Sequence, residues 1–545
     1  MIENKNTYTI TEEISIVAET SKNRYGQYFT PEIIANFMVN LANINSNSDI
    51  LESSSGKGIF LELLTRKEYN NLYAYELDIT LIPNKFKEIV KNESFVSAKI
   101  DKKFDLIIGN PPYIRWKNLE TELKQELATN HLWNKHFNSL CDYSYIFILK
   151  SIEHLKENGE LIFITPEYWL NTTHSQTLRN YMLQNGYFEE IYHFNETPIF
   201  DNVTVSIIIF KFIKSKNKKP FLSLTKYYSN KKLTSSILQD LQKKKETEFA
   251  EYIEISQFKE NENWLLTSND IKKEMLYFEN KCKVNGGSEQ TLFSTEVKHV
   301  TIGDICDIGN GLVSGLDKAF QLNGEVLTEK EKEYQLNVIK AKDLKPFYYE
   351  NITNYIYLNE IEEEQELINK FPNYYNKLFS FKDKLEKRYQ YNKQIPYWKW
   401  VFLRNLNLFK SEKERIFVPC KERISNKNYF RFAFARTNLF PTQDVTAIFK
   451  KVNTKESIFY ILSFLNNYRV FQWLLHNGIV KGNIVEFSER PIASIPFRKI
   501  DWNNKNEIEI HDKIVEYTKE YIQTKSDELL KQIDKLFNKL VGIII

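Results

Sequence analysis

The chain has 545 residues, too many for one ordinary core, so two or three domains are expected. Its composition, 42% hydrophobic and 14% aromatic, is that of a folded protein, and a net charge of +3 does not announce a nucleic-acid binder. No apolar run approaches the ~20 residues of a membrane helix, the polar opening Met1-Ile2-Glu3-Asn4-Lys5 is not expected to act as a signal peptide, and Cys141, Cys282, Cys306 and Cys420 lack the paired spacing of a zinc site or disulfide framework. A cytoplasmic protein without a metal is therefore expected.

Residues 1–25 are polar, with one helix expected around 11–20. Gly26-Gln27-Tyr28-Phe29-Thr30-Pro31 then leads into Glu32–Leu41, with Thr30 as the expected cap and Pro31 at the first helical position. A capped helix needs no function, so this stretch alone decides nothing. Asp49-Ile50-Leu51-Glu52 reads as the end of a first strand, Ser53-Ser54-Ser55-Gly56-Lys57-Gly58 as a small-residue loop, and Ile59–Leu64 as a helix start. Strand, tight loop and helix open a nucleotide-binding α/β fold. The loop is neither a Walker A sequence nor G-x-G-x-x-G. Leu72–Asp78 is a second strand ending in acids. Glu76 stands where a ribose diol donates to one carboxylate, while Asp78 reads equally as a helix cap. A third short segment, Ser94-Phe95-Val96, follows.

Phe104-Asp105-Leu106-Ile107-Ile108-Gly109 is an apolar run that reads as a buried strand. It delivers Asn110-Pro111-Pro112-Tyr113 at a strand's carboxyl end, where open α/β sheets hold ligands. The chemistry suits an exocyclic amine, whose lone pair is delocalised into its ring. The Asn110 side-chain oxygen and the Pro111 carbonyl can both accept from such an NH2 group and push the nitrogen towards tetrahedral geometry. Two prolines stiffen the loop, and Tyr113 offers a flat face for a planar base. A proline-rich turn is the bland alternative.

Taken together, Tyr28-Phe29-Thr30, Glu52 through Phe60, Glu76 and Asn110–Tyr113 resemble the S-adenosylmethionine-dependent DNA adenine-N6 methyltransferases, in the order of the gamma group typified by the TaqI enzyme. The resemblance implies a Rossmann-like class I methyltransferase domain of α/β class, followed by a C-terminal α+β target-recognition domain. It implies that Tyr28, Phe29 and Thr30 surround the methionine part of the cofactor. Glu52 and the loop with Ser54 and Gly56 lie at the methionine end, Glu76 and Leu77 at the ribose, and Ser94 and Phe95 at the adenine. Two positions depart from the family: Ser94 replaces an aspartate, and Ser53-Ser54-Ser55 replaces Pro-Ala-Cys. Phe200 matches the aromatic that packs on the far face of an extruded adenine, and reads equally as a core residue. Extrusion is required because the amine is paired within a duplex.

The implied domains are 1–215 for methyl transfer, 216–299 as linker and peripheral structure, and 300–545 for DNA recognition with a C-terminal helix. From Lys211 to Lys245 eleven lysines face one acid, Asp240, a solvated face or a phosphate-contacting one. Gly286-Gly287-Ser288 marks a boundary. Gly309–Leu316, Phe440–Val445, Ile461–Asn467 and Gly482–Phe487 resemble target-recognition domains more loosely. Arg388-Tyr389-Gln390-Tyr391, Tyr397-Trp398-Lys399-Trp400 and Tyr429-Phe430-Arg431-Phe432 describe half-buried strands or base-stacking surfaces. The implied partner is double-stranded DNA, with either a separately encoded restriction endonuclease or a solitary, monomeric methylase. Two alternatives stand: methylation of RNA or of protein glutamine, which the same loop serves in shorter enzymes, and a DNA-binding module that has lost its cofactor.

Overall fold

The computed structural model describes residues 28–195, 197–200, 205–229, 231–283, 299–391, 393–424, 428–481 and 484–541. The helix expected around residues 11–20, Gly26-Gln27, residues 201–204, Gly286-Gly287-Ser288 and Gly482-Asn483 lie outside these ranges. The chain divides into two compact units, Met1–Asn269 and Asp270–Ile545. Among the described residues no helix is long and apolar enough to cross a membrane.

The first unit is built on a nine-stranded sheet of β1 (Ile50–Glu52), β2 (Leu72–Tyr75), β3 (Val90–Lys91), β4 (Phe104–Gly109), β5 (Leu155–Pro166), β6 (Gly186–His193), β7 (Ile207–Lys214), β8 (Phe221–Tyr227) and β9 (Ala250–Ser256). Their order is β3-β2-β1-β4-β5-β7-β6-β8-β9. Strand β1 runs parallel to β2 and β4, and β4 to β5, while β7 is antiparallel to both of its neighbours. The apolar run of β4 is explained by coverage of both faces: Leu106, Ile107 and Ile108 are all 0% exposed. Helices α1 (Glu32–Leu41), α2 (Ile59–Arg66), α3 (Thr121–Thr129), α4 (His131–His136), α5 (Ser144–His154) and α6 (Gln176–Asn185) accompany the sheet.

The first five strands take the doubly wound order, with its reversal between β1 and β4. The crevice beyond the carboxyl ends of these two strands is the ligand position of such sheets. Glu52 ends β1 and pairs with Ile108 of β4, two residues before Asn110. At the opposite end, Lys156 Nζ lies 3.0 Å from Asp49 Oδ2 and 2.8 Å from Asp105 Oδ2, pinning the amino ends of the same strands.

Several expectations change. The described part of the stretch expected to be linker and peripheral structure is integral to the fold: β8 and β9 extend the sheet, and the helix Asn269–Lys281 places Met275 and Phe278 in the second unit's core. Leu222, Leu224 and Tyr227 supply the buried face that makes β8 a strand. The lysine run is no single phosphate-contacting face. Lys211 is buried between Glu160 and Glu189, both at 3.1 Å, while Lys219 and Lys245 pair with Glu189 and Asp240. The helix after Asp142, which its sequence suggests is amphipathic, is buried continuously from Ser144 to Ile152. The third strand is Val90–Lys91, and Ser94-Phe95-Val96 falls in the turn beyond it.

The second unit is α+β. One antiparallel sheet takes the order Cys306–Asn310, Val445–Lys450, Arg415–Pro419, Ala433–Ala435. Two three-stranded sheets and the helices Ile458–Leu465, Tyr468–Asn477, Lys505–Thr524 and Asp527–Val541 complete it. The last helix buries Leu529, Ile533, Leu536, Phe537 and Leu540, the residues whose helical spacing marks it. Most of the aromatic–basic stretches are core: Trp398 and Trp400 are buried and donate to the carbonyls of Ile361 and Ile356, and Phe430 and Phe432 are buried. Only Tyr389, Tyr391 and Tyr429 among their aromatics are exposed.

The Gly309–Leu316 and Phe440–Val445 stretches meet. Gly311 N donates to Val445 O at 3.1 Å and Leu312 N to Pro441 O at 2.9 Å. Lys340 Nζ joins them, 2.5 Å from Asp317 Oδ2, 2.9 Å from Asp444 Oδ1 and 2.7 Å from Thr442 Oγ1. Burial works against the Lys340 charge, but the two carboxylates outweigh it and hold the ammonium above its usual range. Lys340→Met removes the cation between the two carboxylates, leaving them the neutral donors Ser314, Ala341 and Thr442, and is expected to destabilise the protein by about 2 kcal/mol, read as a lower urea midpoint. An unchanged midpoint would contradict the role of this cluster.

Candidate active site

The loop after β1 is shaped by two glycines with positive φ, Gly56 at 51° and Gly58 at 75°. A Cβ on Gly58 would sit 2.8 Å from the Phe86 ring, so the turn into α2 admits no side chain there. The turn presents backbone N–H groups to the end of β2: Gly56 N donates to Glu76 Oε2 at 2.7 Å, and Asp78 N donates to Oε1 at 2.9 Å. Asp78 itself caps the short helical turn Ile79–Leu81 by accepting from Thr80 N, which settles its alternative in favour of the cap. Ser54 Oγ donates to Asn110 O at 3.1 Å and ties this loop to the one after β4.

These elements enclose a cavity of about 400 Å³. Tyr28, Phe29, Thr30, Glu52, Ser54 and Gly56 line it, as do Glu76, Leu77, Ser94 and Phe95, together with Asn110 and Pro112. Pro111, Tyr113 and Phe200 stand outside the lining. Tyr113 stacks towards Tyr28 at 6.5 Å and 20°, and Tyr28 lies 5.8 Å from the buried Phe200 ring, so Tyr28 bridges the two.

The Asn110 amide is held from one side. Its Nδ2 donates to Tyr28 O at 2.7 Å and to Thr30 Oγ1 at 3.1 Å. Thr30 is therefore not a helix cap: Pro31 is the N-cap of α1, its carbonyl opens the helical ladder, and the Thr30 hydroxyl accepts from the Asn110 amide instead. With Nδ2 committed, Oδ1 is the amide's remaining acceptor. The Tyr113 hydroxyl reaches both Asn110 Oδ1 and Ile164 O, and its single proton serves one at a time. Burial, then the Asp142 carboxylate, hold this phenol well above its usual pKa, so it stays protonated.

Charge is arranged at a cost. Glu52 is 1% exposed, and burial and the Glu76 carboxylate hold it well above the usual carboxylate range, against one backbone N–H from Leu61. Burial also raises Glu76, which the Asp78 and Gly56 N–H groups pull back. Glu52 Oε2, Ser53 Oγ and Ser55 Oγ are buried with no hydrogen-bond partner among the described residues. Three orphaned polar atoms on one wall mark a place where a polar ligand belongs. Ser94 Oγ accepts from Val96 N at 3.2 Å, so part of its accepting capacity is used locally. Sequence reasoning missed Lys57, Tyr143 and Phe147 in the lining. Tyr143 and Phe147 are four apart, which places them on one face, but a helix buried on all sides gives no sign of which face meets a cavity.

Residues 22–200 match the Eco57I restriction-modification methylase family. Over 522 residues the chain is 44% identical to the type II methyltransferase M.HindII of Haemophilus influenzae, covering 96% of this chain and 98% of the relative. The chain belongs to the type II DNA methyltransferase family. A second relative, M.HincII of Haemophilus influenzae, is 42% identical over 523 residues, again 96% of this chain and 98% of the relative. The fold is similar to that of the type IIL restriction-modification enzyme MmeI, solved in complex with DNA. That likeness has a TM-score of 0.59 at 11% identity and covers 94% of this chain and 72% of that one.

An ionisable group held away from water, as Glu52 is, carries a stability penalty. A carboxyl with a raised folded pKa binds more protons folded than unfolded, so its contribution to stability falls as pH rises above the ordinary carboxylate range. Glu52→Gln removes that dependence. The variant is expected to be more stable than the parent near pH 7 in urea unfolding, with the difference shrinking towards about pH 4. A variant less stable near pH 7 would contradict burial as the dominant influence on Glu52.

Proposed function

We propose that the chain is a sequence-specific methyltransferase of the gamma group that transfers a methyl group from S-adenosylmethionine to N6 of an adenine flipped out of double-stranded DNA. The observation that carries this reading is the shared cavity. Asn110 and Pro112 form one wall, and the loop of Glu52, Ser54 and Gly56, the Glu76 carboxylate and Phe95 form the others.

The residues fit the cofactor. The orphaned Glu52 Oε2 and Ser53 and Ser55 hydroxyls suit the polar methionine end. Each Glu76 oxygen accepts one backbone N–H and keeps capacity for a ribose hydroxyl. Phe95, 2% exposed, supplies an apolar wall for a purine. The bound cofactor supplies an electrophilic methyl on a sulfonium. The protein's part is positioning and electrostatics. Asn110 Oδ1 and the Pro111 carbonyl accept from the target amine, which localises the nitrogen lone pair. Tyr28 and Thr30 hold the Asn110 amide so that its oxygen, not its NH2, is presented. When the Tyr113 hydroxyl donates to Ile164 O, Asn110 Oδ1 keeps its full accepting strength for the amine. Tyr113 and Phe200, with Tyr28 between them, offer aromatic surface to the extruded base, and each stacked ring contributes about 1–3 kcal/mol. The second unit takes the recognition role in this reading, and the first carries transfer.

Asn110→Ala is expected to lower methyl transfer by about a thousandfold while S-adenosylhomocysteine binding, followed by calorimetry, stays within about twofold. Undiminished turnover in the folded variant would overturn the role of Asn110. Tyr113→Ala should change the fluorescence of 2-aminopurine at the target position, because the extruded base loses its stacking surface. Equal signals from parent and variant would remove Tyr113 from base binding.

A further inference from the structure

The wall that carries Ser94 and Phe95 belongs to residues 94–100, which form neither helix nor strand. Its local support among the described residues is Ala98 N donating to Ser94 O at 2.9 Å and Val96 N donating to Ser94 Oγ. The rest comes from α5. Lys150, 5% exposed, sends Nζ to Val96 O at 3.0 Å and to Ala98 O at 2.6 Å, and the same nitrogen lies 5.2 Å from the Phe95 ring centroid. One turn on, His154 Nε2 meets Ile100 O at 3.2 Å, and Asn130, the cap of α4, donates to Val96 O at 3.0 Å. Phe147 on the same helix packs on Phe95 at 5.4 Å. The amino end of α5 is tied to the loop after Tyr113, since Tyr143 N donates to Ile114 O at 2.9 Å.

Lys150 makes no ion pair among the described residues. A buried ammonium without a close counter-ion is expensive, and an apolar side chain would fill the same space without that penalty. Both of its hydrogen bonds go to the backbone of one turn, and that turn presents Phe95 to the cavity. We propose that Lys150 is a positioning residue that fixes the Ser94–Phe95 wall and thereby sets the affinity for the adenine moiety of the methyl donor. This rests on the S-adenosylmethionine reading of the cavity.

The protonation state bears on it. Burial lowers Lys150 to about 8, with Glu126 of α3, Glu153 of α5 and Glu93 of the preceding turn pulling it back up. His154, one turn along α5, is itself lowered by burial and stays neutral in the same range. Below about pH 8 the charged form makes charge-assisted bonds to the two carbonyls and attracts the Phe95 ring. Above it the amine keeps N–H groups but loses the charge.

The test uses the full chain with Lys150→Met and Lys150→Arg. S-adenosylhomocysteine binding is measured by calorimetry, DNA binding by fluorescence anisotropy, and kcat at saturating cofactor. The expected result is about tenfold weaker S-adenosylhomocysteine binding in Lys150→Met, partly restored in Lys150→Arg, with DNA affinity and kcat within about twofold of the parent. The parent's affinity should also weaken as pH is raised through about 8, a dependence that Lys150→Met lacks. Equal S-adenosylhomocysteine affinity in parent and Lys150→Met overturns the inference, as does a parallel loss of cofactor affinity, DNA affinity and kcat, which is the mark of general damage. A parent that does not bind S-adenosylhomocysteine overturns the cofactor reading, and this inference falls with it.

Discussion

The reversal of strand order between β1 and β4 is the constraint on which the site depends. Two parallel strands side by side whose following segments leave in opposite directions open a crevice at their carboxyl ends. Glu52 stands at one lip and Asn110 just past the other, and the Ser54 hydroxyl bonded to the Asn110 carbonyl closes the gap. Other wall residues reach the crevice from the end of β2, from the stretch before α1, from the turn before β4 and from α5. None of these contributions would converge without the parallel register of β2, β1 and β4.

Polarity inside this crevice is purchased against stability. The three orphaned atoms of Glu52, Ser53 and Ser55 and the raised Glu52 carboxyl carry desolvation that a purely structural core would avoid. The Lys340 cluster of the second unit is the opposite case: its ammonium sits among Asp317, Asp444 and Thr442 with its bonds satisfied, where two stretches of chain are joined.

Much of this was legible in the sequence because parallel strands buried on both faces are written as plain apolar runs, as in Phe104–Gly109. Motifs at the ends of such runs can be placed before any coordinates exist, and the resemblance to DNA adenine-N6 methyltransferases grouped the residues from Tyr28 to Phe95 around them. Three features were hidden. The strands Phe221–Tyr227 and Ala250–Ser256 lie among lysines and acids, and the second of them is at the sheet edge, where such composition is tolerated. Thr30-Pro31 carries the signature of a helix start, yet the threonine serves Asn110, 80 residues away. Lys150 looks like the polar side of an amphipathic helix until the helix is seen to be buried all round, since spacing cannot report a third layer of packing. In the second unit, alternating aromatic and basic residues proved mostly core, because the tryptophan N–H groups found backbone carbonyls.

The most direct measurement is methylation of a mixed-sequence genomic DNA by the purified protein with S-adenosylmethionine, read by single-molecule sequencing. The expected result is N6-methyladenine at one short motif and nowhere else. Methylcytosine at a motif, or no mark on DNA from a protein that binds the cofactor, would contradict adenine as the substrate of the Asn110 loop.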